Sequence, residues 1–402
     1  MKEKTILHSD VNNFFASVET ALHPEYSDKP LAVTGNPKKR TGIILAKNEL
    51  AKKFGVKTGE AIWEAQKKCP DLVTVAPHYD IYEKISKQLH QLYLQYTDLV
   101  EPMGLDECWL DVTPSLKLLN KNGEQIANEI RQKVKEQFNI TVSVGVSFSK
   151  IFAKLGSDMK KPDATTVISL SNYKKMVYPL SLNSIVGIGW KLSKKFEKMN
   201  INTIQDFISL KEDFVGQIMG KSGIELQQKL KGEFDENVCC YYDIAPPKSI
   251  GNGTTTILDI TSREDISKVI TFLSEKIALR MAEAKVESCC ISVSLKTNQL
   301  KTYHHSRTLS PIRSCEEIST QAMSLVDSFW KFDLPVRAIR INMSSLDKID
   351  KCEQLSFFNS ETNQLNKTIK DIKSKYGSDK IFIASDTVSF INRKDVSEEH
   401  PQ

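Results

Sequence analysis

No Cys-x-x-Cys pair occurs among the eight cysteines of this 402-residue chain, and four of them stand as adjacent doublets, Cys239-Cys240 and Cys289-Cys290. Neighbouring thiols suit neither a zinc site nor a mutual disulfide, which leaves buried free thiols in a reducing compartment. No apolar run approaches the roughly 20 residues that a bilayer requires. The chain opens directly on a strand, Thr5-Ile6-Leu7-His8, without a secretory leader. Together these absences predict a cytoplasmic protein with no membrane partner. Internal repeats and low-complexity tracts are also missing. A net charge of only +5 is too small for whole-chain attraction to a polyanion, so any such partner must be met by local clusters: Lys38-Lys39-Arg40, Lys160-Lys161, and Lys191 with Lys194-Lys195. With 40% apolar and 26% charged residues the composition is that of a globular protein, long enough for two to four domains.

What is present begins with an alternation of short elements. Ile6 to Val11 reads as a strand, followed by a helix from Phe14 that Asn12 or Asn13 is placed to cap. Strands Leu31–Thr34 and Gly42–Leu45 flank a turn at Gly35-Asn36-Pro37, and a helical stretch runs to Phe54. Apolar residues at Ile81, Ile85, Leu89, Leu92 and Tyr96 have a helical period. Leu99–Met103 and Cys108–Val112 form a hairpin, and a helix Ile126–Phe138 leads to an alternating strand Ile140–Val146. A helix Lys150–Met159 and a strand Thr166–Ile168 complete a mixed sheet with helices on one side, of ferredoxin-like character. Short helices and glycine turns follow over residues 180–235, and Ala245-Pro246-Pro247 reads as a linker. Beyond it the order is β-α-β-β-α-β: a strand near Ser249, helix Asp265–Ala284, strands Cys289–Lys296 and Lys301–Leu309, helix Glu316–Trp330, and strand Val336–Met343. Residues 351–402 are polar, as in a tail or an appended helix.

Leu105-Asp106-Glu107 occupies the hairpin tip, and the first strand ends near Asp10. Clustered acids repel one another and add nothing to the stability of an exposed turn. A pair of divalent ions about 4 Å apart, as in-line phosphoryl or nucleotidyl transfer needs, is the simplest reason to gather them. Hard oxygen donors are the right kind for such ions.

The stretches His8-Ser9-Asp10-Val11-Asn12-Asn13-Phe14-Phe15-Ala16-Ser17-Val18-Glu19 and Gly104-Leu105-Asp106-Glu107-Cys108-Trp109-Leu110-Asp111-Val112 resemble the two signature motifs of the Y-family, or translesion, DNA polymerases, above all the bacterial DNA polymerase IV (DinB) type. Lys53-Phe54-Gly55-Val56, Val144-Gly145-Val146, Ala153-Lys154 and Ser157 to Pro162 extend the match in order, over about residues 5–350. The resemblance implies an α+β, multi-domain right-hand polymerase. Its parts would be a ferredoxin-like palm (1–24 and 76–170), small fingers (25–75), a helical thumb with a helix-hairpin-helix (171–240), a β-α-β-β-α-β little finger (241–350) and a C-terminal tail (351–402). It implies a template-directed, low-fidelity polymerase without proofreading, acting as a monomer on primer–template DNA and deoxynucleoside triphosphates with two Mg²⁺.

By the same resemblance Asp10, Asp106 and Glu107 are the catalytic metal ligands and Val11 lends its backbone carbonyl. Phe15, with Phe14 beside it, meets the sugar as a steric gate, and Lys161 and Lys52 meet the triphosphate. The fingers depart from the family's pattern: Glu49 stands for a tyrosine and Lys52 for an arginine, with the loss of bidentate geometry. Gly104 and Trp109 replace a usual serine and tyrosine. Gly187, Gly189 and Lys191 resemble a helix-hairpin-helix that contacts DNA phosphates, a second, degenerate copy falls around Gly216 and Gly220 to Gly223, and Arg307 is placed against the duplex together with Lys296, Lys301, His304 and His305. Gln354-Leu355-Ser356-Phe357-Phe358 resembles a motif that binds the replication sliding clamp, through Gln354, Leu355, Phe357 and Phe358. Two other readings stay open from the residues: a palm-type nucleotide cyclase, and a DNA- and clamp-binding protein without catalysis, for which Glu49 is the one supporting feature.

Overall fold

The computed structural model describes residues 4–36, 40, 42–233, 236–243 and 246–349. They fall into two compact units, one from residues 1–35 with 43–244, the other from residues 245–402 with 36–42. In the first unit the strands are β1 (Ile6–Val11), β2 (Leu31–Thr34), β3 (Ile44–Lys47), β4 (Val73–Val75), β5 (Val100–Met103), β6 (Glu107–Asp111), β7 (Val142–Ser147) and β8 (Thr165–Ile168). They make a five-stranded sheet of order β5-β6-β1-β7-β8 and a three-stranded sheet β3-β2-β4. The large sheet is mixed: β7 and β8 run parallel, while its other pairs are antiparallel.

β1 lies at the centre, and all six of its residues are buried. Side chains alternate along a strand, so such burial requires cover on both faces. Leu7 and Val11 join a core with Val18, Leu89, Ile126 and Ile130 from helices Phe14–Leu22, Tyr79–Tyr93 and Gly123–Phe138. Ile6 packs on the opposite face with Ala153 of the helix Lys150–Met159. The expected single layer of helices is therefore corrected: this helix closes the second face, where His8 and Asp10 also point. Its approach is close because residue 145 has no side chain. A Cβ built on Gly145 would stand 1.8 Å from the carbonyl oxygen of Ala153 and 2.6 Å from the amide of Ser157.

Helices Trp190–Glu197, Ile204–Ile208, Glu212–Met219 and Lys221–Lys231 gather around Phe196, Phe207, Val215 and Leu230. In the second unit β9 (Ser249–Ile260), β10 (Val286–Thr297), β11 (Thr302–Ile312) and β12 (Val336–Lys348) form an antiparallel sheet of order β11-β10-β12-β9. The β-α-β-β-α-β order is as the sequence predicts, with helices Arg263–Ala284 and Cys315–Phe329 on one face over Ile291, Val293, Leu295, Ile339, Ile341 and Met343. Helix Ile62–Lys68, strand β4 and the short helix Leu116–Leu119 carried no sequence signal strong enough to be expected.

Replacing Gly145 by Ala forces backbone against backbone between β7 and the helix Lys150–Met159. Urea unfolding of Gly145→Ala is expected to show a loss of about 3 kcal/mol. A loss under about 1 kcal/mol would mean that the helix shifts at little cost and does not hold the site in place.

Candidate active site

Asp10 and the adjacent pair Asp106-Glu107, distant from it in sequence, are brought to one end of the β1–β6 pair. Asp10 faces Glu107 across the antiparallel register and Ser143 on the other side. Partners in such a register have Cα atoms about 4.5–5.5 Å apart. The Val11 amide donates to the carbonyl of Asp106 at 3.0 Å, which locks the hairpin tip beside β1. Gly104 opens that tip at φ 76°, in the left-handed region that a side chain strains.

Each acid has a different environment. Asp10 is 5% exposed, and burial pushes its carboxyl up to about 6 against the pull of Lys161. Lys161 Nζ donates to Asp10 Oδ2 at 2.8 Å and lies 2.9 Å from Asp158 Oδ1. Asp106 is also raised, by burial first and then by Glu107. Glu107 goes the other way. Burial opposes its ionisation, but His8 and Lys154 outweigh that and hold it at about 2. Lys154 Nζ donates to Glu107 Oε2. His8 Nε2 lies 3.5 Å from the same oxygen, an electrostatic contact rather than a formed hydrogen bond, while its Nδ1 is 2.9 Å from Ser157 Oγ. His8 is fully buried, which lowers its pKa.

Among the described residues no three His, Cys, Asp or Glu side chains close on one point as a ready-made cage. Asp10 is turned to Lys161 and Glu107 to Lys154. The donor set nevertheless fits Mg²⁺ chemically: three hard carboxylates on adjoining strands, with backbone carbonyls between them.

Around the acids the other expected residues take distinct places. Val11 is buried with its amide committed to Asp106. Phe14 is 3% exposed and belongs to the core; of the pair only Phe15 keeps an accessible face, stacked on Tyr82 with centroids 4.3 Å apart. Asn13 holds the N-cap position of the helix at φ 51° but makes no capping bond. Its side-chain amide donates instead to Glu49 Oε1 at 3.0 Å. Lys52 lies 3.4 Å from that same oxygen.

Gly187 has φ 100°, and Gly189 precedes the helix Trp190–Glu197, in which Lys191 is exposed. Of the second copy, Gly216 lies within the helix Glu212–Met219, and Gly220, at φ 68°, separates it from Lys221–Lys231. Arg307 faces the helices. It pairs with the core residue Ile291 and its guanidinium donates to Ser324 Oγ of the helix Cys315–Phe329, so it lies on the helix-covered face. His305, stacked on Phe329, does the same. The face without helices carries instead Lys296 and the row His304, Ser294, Arg340, Gly253. Gln354, Leu355, Phe357 and Phe358 lie outside the described residues.

Sequence reasoning missed Lys154 and His8 as partners of Glu107, and Arg340. Alternation along β1 puts His8 on the same face as Asp10, and exposed Arg340 between Ile339 and Ile341 is an outward position. Those two signals were available. Lys154 lay within the matched pair Ala153-Lys154, but nothing in the sequence tied it to Glu107.

Because folding raises the Asp106 carboxyl, the folded state holds its proton to higher pH than the unfolded state. Stability therefore falls as pH rises from about 4 through that raised value, and the penalty is fully present above it. In EDTA, Asp106→Asn is expected to melt at or above the wild-type temperature at pH 8, with the difference shrinking towards pH 4. A variant that melts well below wild type at pH 8 would show that the carboxylate stabilises the fold.

The impB/mucB/samB family model matches residues 9–158, and the C-terminal domain model of that family matches residues 247–357. DNA polymerase IV of Acetivibrio thermocellus is 40% identical, covering 93% of this chain and 95% of that one. DNA polymerase IV of Alkaliphilus oremlandii is 32% identical over 94% and 97%. Among solved structures, a Y-family DNA polymerase chimera of Dbh and Dpo4 superposes with a TM-score of 0.77 at 25% identity, covering 86% of this chain and all of its own. An insertion ternary complex of Dbh DNA polymerase gives 0.62 at 26% identity with the same coverage. With its signature acids gathered as described and its α+β architecture matched along both units, the chain belongs to the Y-family DNA polymerases, of the DNA polymerase IV type.

Proposed function

We propose that this chain is a DNA-directed DNA polymerase that performs low-fidelity translesion synthesis by nucleotidyl transfer with two Mg²⁺. The observation that carries the reading is the β1–β6 register, which pairs Asp10 with Glu107 and bonds Val11 to Asp106. Residues 1–24 and 76–170 are the palm, 25–75 the fingers, 171–240 the thumb and 241–350 the little finger. Among the described residues these four parts leave none for a proofreading exonuclease. The relatives named above support primer–template DNA and a deoxynucleoside triphosphate as substrates.

Asp10, Asp106 and Glu107 would hold the metal ions, with the carbonyl of Val11. When bound, the ions lower the pKa of the primer 3′-hydroxyl and neutralise the triphosphate. Lys161 supplies a compact positive charge for the triphosphate from beside Asp10, and Lys52 a second from the fingers. Phe15 presents a ring where a ribose 2′-hydroxyl would collide. In the thumb, the amides at Gly187 and Gly189 approach a phosphate without a Cβ in the way, and Lys191 adds charge. Such contacts ignore base identity. In the little finger Arg340, His304 and Lys296 take the place expected of Arg307. The segment Gln354 to Phe358 docks on the sliding clamp, and the enzyme acts as a monomer in the cytoplasm.

Primer extension with Mg²⁺ tests the reading against a cyclase and against a non-catalytic DNA binder. Template-directed extension is expected from the wild type and a loss of about 10³-fold or more from Asp106→Ala. Activity that survives the substitution would sink the assignment. The sheet-face assignment has its own test in fluorescence anisotropy on primer–template DNA across a salt series. Arg340→Ala is expected to weaken binding and reduce the salt slope by about 1, with Arg307→Ala close to wild type. The opposite ranking would return the contact to Arg307.

A further inference from the structure

Behind Phe15 lies a carboxylate that the chemistry described so far does not use. Glu19 is 1% exposed and sits one helical turn after Phe15 on the helix Phe14–Leu22. A charge taken from water at this depth is costly unless several donors meet it, and an apolar residue would pack there at less cost. Two donors do meet it. The hydroxyl of Tyr82 donates to Glu19 Oε1, and His78 Nδ1 lies 2.9 Å from the same oxygen.

The consequence is felt one ring away. Tyr82 lies nearly parallel to Phe15, centroids 4.3 Å apart and planes inclined by 12°, and Tyr79 meets Phe15 edge-on at 5.6 Å and 88°. Phe14 touches both rings, at 5.5 Å and 6.0 Å. Tyr82 is fully buried, so its ring angle is set by its packing and by the bond of its hydroxyl to Glu19. We propose that Glu19 is a positioning residue for sugar selection: by fixing the Tyr82 hydroxyl it holds the Tyr82 ring flat behind Phe15 and so stiffens the ring that excludes a ribose 2′-hydroxyl. A gate of this kind works through contact with a single oxygen. Repulsion at that contact collapses within a fraction of an ångström, so a ring free to lean back would admit the hydroxyl although Phe15 itself were unchanged. The inference rests on the reading of Phe15 as the sugar gate.

Single-nucleotide primer extension opposite template guanine, with dCTP and CTP in Mg²⁺, gives the ratio of the two kcat/KM values. Tyr82→Phe and Glu19→Leu are expected to lower the discrimination about tenfold, through a gain for the ribonucleotide rather than a matched loss for both. Glu19→Gln keeps an oxygen acceptor and is expected to stay within about threefold of wild type. Should Glu19→Leu fail to fold, Tyr82→Phe, which removes one oxygen, decides alone. If Phe15→Val loses discrimination while Tyr82→Phe and Glu19→Leu keep it, the positioning role is overturned and the gate stands. If Phe15→Val itself keeps discrimination, the gate reading falls and this inference falls with it.

Discussion

The antiparallel register between β1 and β6 is the constraint on which the site depends. Side-chain direction alternates along a strand, so sliding either strand by one residue would send its acids to the opposite face. As built, Asp10 opposes Glu107, and the Val11–Asp106 bond continues the ladder past the strand end into the hairpin tip. The register is held from both sides of the sheet. Leu7 and Val11 are committed to one core, Ile6 to another, and β7 pairs along the whole of β1. A slip would bury Asp10 among Val18 and Leu89 and is excluded by the same hydrophobic energy that folds the sheet.

Holding acids in that arrangement works against stability. Burial raises Asp10 and Asp106, and Glu107 ionises readily only because Lys154 and His8 face it. Lys154 comes from the helix Lys150–Met159 and Lys161, the partner of Asp10, from the segment just after it, the layer that closes the second face of the sheet. Gly145 and Gly156 allow that layer to come close: a Cβ at 156 would stand 3.1 Å from Cα of Gly145. Glycine at these two positions is therefore linked to the charge balance of the carboxylates, since moving the helix outward would carry Lys154 away from Glu107.

Much of this was legible beforehand, and the failures have physical causes. β1, β2 and the helix Lys150–Met159 have the bounds that their patterns predict. The three acids could be recognised because paired carboxylates at a turn are costly without a task. The second layer of helices was not legible, because one sequence's alternation shows that a face is apolar but not what covers it. The face that Arg307 takes was not legible: in an edge strand with few apolar residues, Thr302–Ile312, the inward set is fixed only by its partner β10, where Ile291, Val293 and Leu295 face the helices. Arg340 sits between two core isoleucines, so the same rule used on β12 would have found it.

Glu49 shows how a single residue reads differently once it has neighbours. In sequence it is a negative charge set in the fingers where triphosphate would come, and it is the one feature that favours a protein without catalysis. In the fold Asn13 and Lys52 both reach its Oε1, and these contacts hold its pKa below the usual carboxylate range although burial opposes ionisation. Asn13 is free to do this because it stands in the left-handed region before the helix and spends no side-chain bond on capping it. The carboxylate thus ties the short helix Glu49–Lys53 to the turn just before the helix that opens with Phe14 and Phe15. A tyrosine hydroxyl could grip a phosphate but could not accept from both partners as an anion does. The substitution gives the fingers a fastening to the turn beside the first strand.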